Sequence, residues 1–390
     1  MSVEILIPSI LRIGGGSIAD VPSILEGLGC KRPLIVTDPF LLKSGLPALI
    51  ASKLQQAGVW SAIFSEIVPD PTSTVVDSGV QAFRAGEHDS LVSVGGGSPI
   101  DTAKAISMLA ANGGVCRSYK VPNPIPLAGA PHIAIPTTAG TGSEVTRFTV
   151  ITDADTNEKM LIAGRTLLPT AAVVDFELTL TMPARLTADT GIDSLTHAIE
   201  AYVSRRAHSF TDAVALLAMR DIWRWLPIAY STPSDRTARE TMMTAATLAG
   251  MAFSNASVAL VHGMSRPIGA HFHVAHGLSN AMLLPVVTRF SARGAPVRYA
   301  DCARAMGLAS GGDSDSIAVE RLLAGLFDLN RDLKVPSPKT YGIDAERYHS
   351  LIPTMALQAL ASGSPANNPR VPTAEEIEQL YREVWELPEA

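Results

Sequence analysis

Ser90-Leu-Val-Ser-Val94 runs without a break into Gly95-Gly96-Gly97-Ser98-Pro99-Ile100-Asp101-Thr102-Ala103-Lys104, and these fifteen residues decide the fold. They read as a buried strand, a glycine turn and the start of a helix. Three glycines let backbone N–H groups approach a diphosphate with no Cβ in the way, and the helix behind them offers unsatisfied N–H groups and the positive end of its dipole to the anion. Ser98 suits the N-cap, Pro99 the first helical position and Asp101 the third, as in a capping box. Taken alone, the turn also reads as an ordinary strand-to-helix connection with a good cap, because its spacing is not GxGxxG.

The neighbouring sequence supports the phosphate reading. A second loop of small residues, Pro136-Thr137-Thr138-Ala139-Gly140-Thr141-Gly142-Ser143-Glu144, follows the next strand and places hydroxyls and free amides at the same carboxyl edge of a sheet. Asp38 ends the run Leu34 to Thr37, where a carboxylate accepts hydrogen bonds from an adenosine ribose and repels a 2′-phosphate, favouring NAD over NADP; an Asp before Pro39 also suits a plain turn.

Strand-like runs at Pro33 to Thr37, Ser61 to Ile67, Ser90 to Val94 and His132 to Pro136 alternate with helical patterns at Leu46 to Ala57, Ser73 to Ala85 and Ile100 to Ala111. That rhythm predicts βαβ units and a mostly parallel sheet. Strand-like runs continue at Thr146 to Thr152, Lys159 to Ala163 and Ala171 to Asp175, and the texture changes near Thr179 to Pro183. Helices are expected thereafter at Asp189 to Ser204, Phe210 to Trp225, Arg236 to Val261, Asp315 to Leu329 and Ala374 to Glu383, the last capped by Thr373.

Composition narrows the function. Of 390 residues, 47% are hydrophobic and 17% charged, which excludes a disordered chain and fits two domains at roughly 100 to 200 residues each. A net charge of -6 with scattered Lys and Arg argues against nucleic acid and anionic membranes as partners. Cys30, Cys116 and Cys302 form no CxxC pair, so neither a disulfide framework nor a thiolate zinc site is indicated, and a cytoplasmic location is expected. The N-terminus does not read as a signal peptide. Thr241 to Val261 is free of charge over 21 residues, but its threonines, serines and asparagine make it read as a helix buried in protein rather than in lipid.

Four of the nine histidines, His262, His271, His273 and His276, lie within fifteen residues. Upstream, Asp193 and His197 are four apart, so one helix face carries both. His262 is expected to close the uncharged helix and His276 to lie beyond Pro267 and Gly269, on a turn or a helix start. A carboxylate with three imidazoles suits Fe(II), Zn(II), Mn or Co with a coordination position left open. His271 and His273 alternate with Phe272 and Val274, as on one face of an extended segment.

Taken in order and spacing, Gly95 to Lys104, Pro136-Thr-Thr-Ala-Gly-Thr-Gly-Ser-Glu-Val-Thr146, Gly191-Ile-Asp-Ser-Leu-Thr-His-Ala-Ile-Glu-Ala201, His262-Gly-Met264 and His276-Gly-Leu-Ser-Asn-Ala-Met-Leu-Leu-Pro285 resemble the iron-dependent (group III) alcohol dehydrogenase family across nearly the whole chain. The resemblance implies an α/β N-terminal dinucleotide-binding domain over residues 1–180 plus an all-α C-terminal domain over 181–390, a dehydroquinate synthase-like fold with the catalytic site in the cleft between them. It puts the metal ligands on Asp193, His197, His262 and His276. Cofactor contacts fall on Asp38, Gly96, Gly97 and Ser98, on Thr137, Thr138 and Thr141, and on Lys159 near the nicotinamide ribose. Gly95, Asp101 and Ser143, in the same two loops, complete the dinucleotide candidates. A homodimer or larger assembly is also implied.

The chain departs from the family pattern at Asp70 and Phe148, where members often carry Asn, and more sharply in His262-Gly-Met-Ser-Arg266-Pro-Ile-Gly269. Many members have His at the position of Arg266, near the substrate. A guanidinium cannot act as a base near neutral pH, so either the proton relay moves to His271, His273, a ribose hydroxyl or water, or Arg266 is a fork for a substrate carboxylate. Arg266 and His273 join the four ligands as catalytic candidates.

The expected reaction is reversible oxidation of an alcohol to an aldehyde or ketone, the substrate oxygen at the metal and hydride passing to NAD. Short-chain alcohols and diols are the default substrates, and a hydroxy acid of the 4-hydroxybutyrate kind is the alternative. A dehydroquinate synthase-like cyclase would accumulate no net NADH, and a noncatalytic nucleotide-binding protein would hold no stoichiometric metal.

Overall fold

The computed structural model describes residues 2–387, which divide into two compact units with the boundary between Thr181 and Met182. In the first, six parallel strands stand in the order β1 (Ile10–Ile13), β8 (Ala171–Val174), β5 (His132–Pro136), β4 (Ser90–Gly95), β2 (Pro33–Val36), β3 (Ala62–Phe64), and β6 (Phe148–Thr152) pairs antiparallel with β7 (Lys159–Ala163). The helices between them are α1 (Val21–Gly27), α2 (Pro39–Ser44), α3 (Leu46–Gln56), α4 (Ser73–Ala85) and α5 (Gly97–Asn112).

β2, β4, β5 and β8 are buried along their whole length, as a parallel sheet covered on both faces requires. The period of two sorts their side chains. Leu34, Val36 and Leu91 join one core with Val76, Phe83 and Ile106, whereas Ile35, Val92, Val94 and Ile133 join another with Leu25, Ile50 and Leu54. β2 runs to β3 on one side, and the chain then returns to place β4 on β2's other side. Such a reversal opens a crevice at the carboxyl ends of the strands, and Asp38 and the Gly95 turn flank it. Gly95 sits opposite Pro136 in the ladder, so the two small-residue loops leave the sheet side by side.

The second unit is helical: α6 (Ala184–Val203), α7 (Ser209–Ser231), α8 (Arg236–Ala256), α9 (Leu260–Phe272), α10 (His276–Ala292), α11 (Pro296–Ala305), α12 (Asp315–Asp332), α13 (Ala345–Ala361) and α14 (Ala374–Trp385). α6 is buried from Thr187 to Val203 and packs against α7, α8 and α10. Ala188, Gly191, Ser194 and Ala198 fall on one side of it, a stripe of small residues that lets neighbouring helices come close. Thr373 caps α14, as the sequence predicts, and the structure adds the reciprocal bond from Glu376 that makes it a full capping box.

The expected helix from Arg236 to Val261 is instead two helices. α8 ends at Ala256, Ser257 takes φ 68°, and α9 starts at Leu260, bent by 103° from α8. No Gly or Pro marks this break. It is held from elsewhere, by Asn367 Nδ2 donating to Ser257 Oγ at 3.0 Å and to Val258 O at 3.2 Å, and by Ser204 Oγ donating to Ala256 O. Among the described residues no single helix is long and apolar enough to cross a membrane, and only this bent pair passes that test together. Cys30, Cys116 and Cys302 are buried and unpaired.

Candidate active site

Asp193 and His197 project from one face of α6, His262 from the third residue of α9, and His276 from the first residue of α10. His262 therefore opens a helix instead of closing one. α9 continues through Pro267 and Gly269 to Phe272, and His273, exposed and at φ 55°, forms its left-handed cap; the expected extended segment at His271 to Val274 is not present. His271 Nε2 meets Gln358 Oε1 at 2.8 Å, and neither His271 nor His273 joins the cluster that the other four residues form.

One ligand atom from each of Asp193, His197, His262 and His276 lies within 4.8 Å of all the others. Asp193 Oδ1 stands 3.5 Å from His262 Nε2, 3.8 Å from His276 Nε2 and 4.0 Å from His197 Nε2. Adjacent ligands around one tetrahedral ion would be roughly 3.4 Å apart at ordinary metal–nitrogen distances, so the donor set fits a single divalent cation. The side chains of Asp193, His197 and His262 are almost fully buried, whereas that of His276 is 43% exposed and leaves the cluster open on its side.

The electrostatics have the same sense. Burial would raise the Asp193 carboxyl, but the surrounding imidazoles of His197, His276 and His262 hold it well below the usual carboxylate range. Burial would likewise lower His262, yet hydrogen bonds to Asp193 and Glu200 and their negative charge lift it to about 9. The two shifts express one buried pairing of carboxylate and imidazole, with Glu200 adding negative charge behind His262. An amide already points into the cluster: Asn280 Nδ2, one turn along α10 from His276, donates to Asp193 Oδ1 at 2.6 Å and stands 3.1 Å from His262 Nε2 and 3.2 Å from His276 Nε2.

Sequence reasoning missed three supporting residues. Glu200 on α6 accepts from Ala259 N at 2.9 Å, Val261 N at 2.6 Å and His262 Nδ1 at 2.7 Å, so one buried carboxylate both caps α9 and turns His262 Nε2 toward Asp193. Phe253 on α8 stacks on His197 with ring centroids 4.1 Å apart. Asn280 is the third, and its spacing of four from His276 is the same signal that marked Asp193 and His197. Gly277 explains how α10 approaches α6: a Cβ there would stand 2.5 Å from Asp189 O.

In the first unit, Gly95 has φ +154°, and a Cβ on it would lie 2.4 Å from Pro99 Cγ, so only glycine makes this turn. Thr137 N donates to Gly95 O at 3.0 Å, a Cβ at Gly96 would meet Thr138 Oγ1 at 3.4 Å, and one at Gly97 would meet Thr141 Cγ2 at 3.3 Å. The two loops are thus in contact, and Gly96, Gly97, Ser98, Thr138 and Thr141 keep partial exposure in otherwise buried surroundings. The helix begins earlier than the sequence suggests. Gly96, not Ser98, is the N-cap of α5, no side chain caps it, and the first-turn amides are left for a ligand.

Asp101 forms no capping box because its carboxylate serves the second loop, accepting from Ser143 Oγ at 2.6 Å and Val150 N at 2.8 Å. Buried Lys104 completes this brace, donating to Ser143 Oγ, Thr146 Oγ1 and Phe148 O. Asp38 caps α2 through Oδ1, accepting from Leu41 N at 2.9 Å, and Lys159 pairs with Asp70 at 2.8 Å.

Arg266 lies one turn beyond His262 on α9, half-buried, and makes no hydrogen bond or ion pair among the described residues.

Both units match known families: residues 8–176 the iron-containing alcohol dehydrogenase model, and residues 187–385 the C-terminal model of the Fe-containing alcohol dehydrogenase family. The chain is 40% identical over 377 residues to the NAD-dependent methanol dehydrogenase of Bacillus methanolicus, covering 96% of this chain and 98% of that one. It is 38% identical to the lactaldehyde reductase of Escherichia coli, covering 95% and 97%. The crystal structure of a 1,3-propanediol oxidoreductase superposes with a TM-score of 0.93 at 38% identity, over 98% of this chain and all of that one. With a carboxylate and three imidazoles converging in one unit and a phosphate-type turn in the other, the chain belongs to the iron-containing (group III) alcohol dehydrogenase family and is a metal-dependent oxidoreductase interconverting alcohols and aldehydes.

Proposed function

We propose that this enzyme interconverts small alcohols with their aldehydes or ketones, with Fe(II) as the resident ion and NAD rather than NADP as the hydride carrier. The convergence of Asp193, His197, His262 and His276 carries this reading. Residues 1–180 bind the dinucleotide and residues 181–390 hold the metal.

A divalent cation at this cluster supplies Lewis-acid chemistry, lowering the pKa of a coordinated hydroxyl and polarising a carbonyl oxygen. The chain's residues do the rest. Glu200 orients His262, and the three nearly buried ligands exclude water on their side, leaving entry past the exposed His276 edge. The uncapped amides after Gly96 bind diphosphate, with the Thr138 and Thr141 hydroxyls alongside. Asp38 disfavours a 2′-phosphate, which supports NAD. With no imidazole at position 266, His273 or solvent water would exchange the proton with the substrate. Family membership supports a homodimer or larger assembly, and three free thiols fit a cytoplasmic enzyme.

Anaerobic Fe(II) reconstitution followed by NADH oxidation with butanal tests the reading. Turnover abolished by chelation, and faster with NADH than with NADPH, is expected. Turnover that survives complete metal removal overturns the metal assignment, and preference for NADPH overturns the role given to Asp38.

A further inference from the structure

Partly buried arginines in the helical unit are matched with acceptors. Arg185 takes Asp189, Arg298 takes Asp212, Arg304 takes Asp301 and Asp315, and Arg370 takes Glu376. Fully buried Arg239 has no carboxylate but is served by Pro233 O, Thr187 Oγ1 and Met182 O. Among the described residues Arg266 has neither kind of partner. Its guanidinium nitrogens are half-buried but still open to solvent, so their donors are available to an incoming anion.

Its place in α9 gives it a task. Ser265 and Arg266 follow His262 by three and four residues, so both lie over the same helix face as the ligand, about 4.5 and 6 Å further along the axis. Ser265 Oγ is buried and also lacks a hydrogen-bond partner. The carboxylate whose field reaches Arg266 is Glu200, and Glu200 is already engaged by Ala259 N, Val261 N and His262 Nδ1. Burial draws the Arg266 pKa down and the Glu200 charge draws it back, and a guanidinium so placed remains cationic at neutral pH.

We propose that Arg266, with Ser265 beside it, is a specificity-determining anion subsite that selects substrates bearing a carboxylate a few carbons from the reacting oxygen, that is, hydroxy acids and their semialdehydes. This rests on the alcohol–aldehyde reading above and narrows its substrate class. Arginine suits the task because its planar fork receives both carboxylate oxygens at once, which a lysine cannot do.

The test compares succinic semialdehyde with butanal, equal in carbon number and differing in charge, on metal-loaded wild type, Arg266→Met and Arg266→Lys. Titration calorimetry with succinate, which keeps the carboxylate and lacks the aldehyde, runs alongside. Wild type is expected to favour the semialdehyde in kcat/KM. Arg266→Met should lower the ratio of the two kcat/KM values at least tenfold, chiefly through KM, and weaken succinate binding at least tenfold, with Arg266→Lys recovering part of both. An equal loss for both aldehydes, or succinate affinity unchanged in Arg266→Met, overturns the subsite and leaves the alcohol–aldehyde reading in place. If neither aldehyde is reduced but succinate binding still depends on Arg266, the subsite stands and that reading fails.

Discussion

Glu200 illustrates how much a single carboxylate can organise. It closes the open amides at the start of α9 and fixes the tautomer of His262, so its charge reaches the metal position through the imidazole. Glu200→Gln keeps the shape and removes the charge, and metal affinity is expected to fall about 10- to 100-fold, as is usual when the hydrogen-bond partner of a ligating histidine is weakened. Equilibrium dialysis against a competing chelator measures this, and an unchanged affinity would separate Glu200 from the site. Asp193→Ala removes a ligand outright, so metal stoichiometry should drop to background while the circular dichroism of the helices is kept.

Elements are positioned by close approaches that only glycine allows. Gly277→Ala places a Cβ 2.5 Å from Asp189 O, so α10 must shift away from α6 and carry His276 with it. We expect a loss of about 1 to 3 kcal/mol together with reduced metal content, because overpacking and displacement of a ligand act at one point. A thermal melt paired with metal analysis distinguishes this from simple destabilisation. In the first unit, the Lys104 ammonium ties α5 to the second loop through Ser143, Thr146 and Phe148. Lys104→Met strands those acceptors and Asp101 in a buried setting, and should cost about 2 to 4 kcal/mol of stability and weaken NAD binding while metal stoichiometry is retained. Metal loss in that variant would show that the brace acts beyond its own unit.

For the whole molecule, metal binding is a stability term. A ligand present at about 100 times its Kd stabilises the folded state by ~2.7 kcal/mol, so chelation should lower the melting temperature of wild type and leave that of Asp193→Ala unmoved. The same scale shows which features were open to sequence reading. The α/β rhythm, the helical second half, the glycine turn and the pair Asp193 and His197 depend on periods of two or 3.6 residues and on local turn chemistry, and these are written in consecutive residues. The bend between α8 and α9 is not: Ser257-Val-Ala259 carries no breaker, and the bend exists because Glu200 and Asn367, both distant in the chain, supply partners to its backbone and to Ser257. Ser98 looks like a cap and is not one, since the backbone at Gly96 already starts the helix and Asp101 is drawn away to Ser143 and Val150. Sequence by itself determined the α/β first half, the helical second half and the four residues that converge at the candidate metal cluster, because local periodicity and residue chemistry suffice for that. Tertiary structure alone decided where the long helix breaks, what orients His262 and that Arg266 has no protein acceptor among the described residues, because each depends on which distant groups come within reach of these polar atoms.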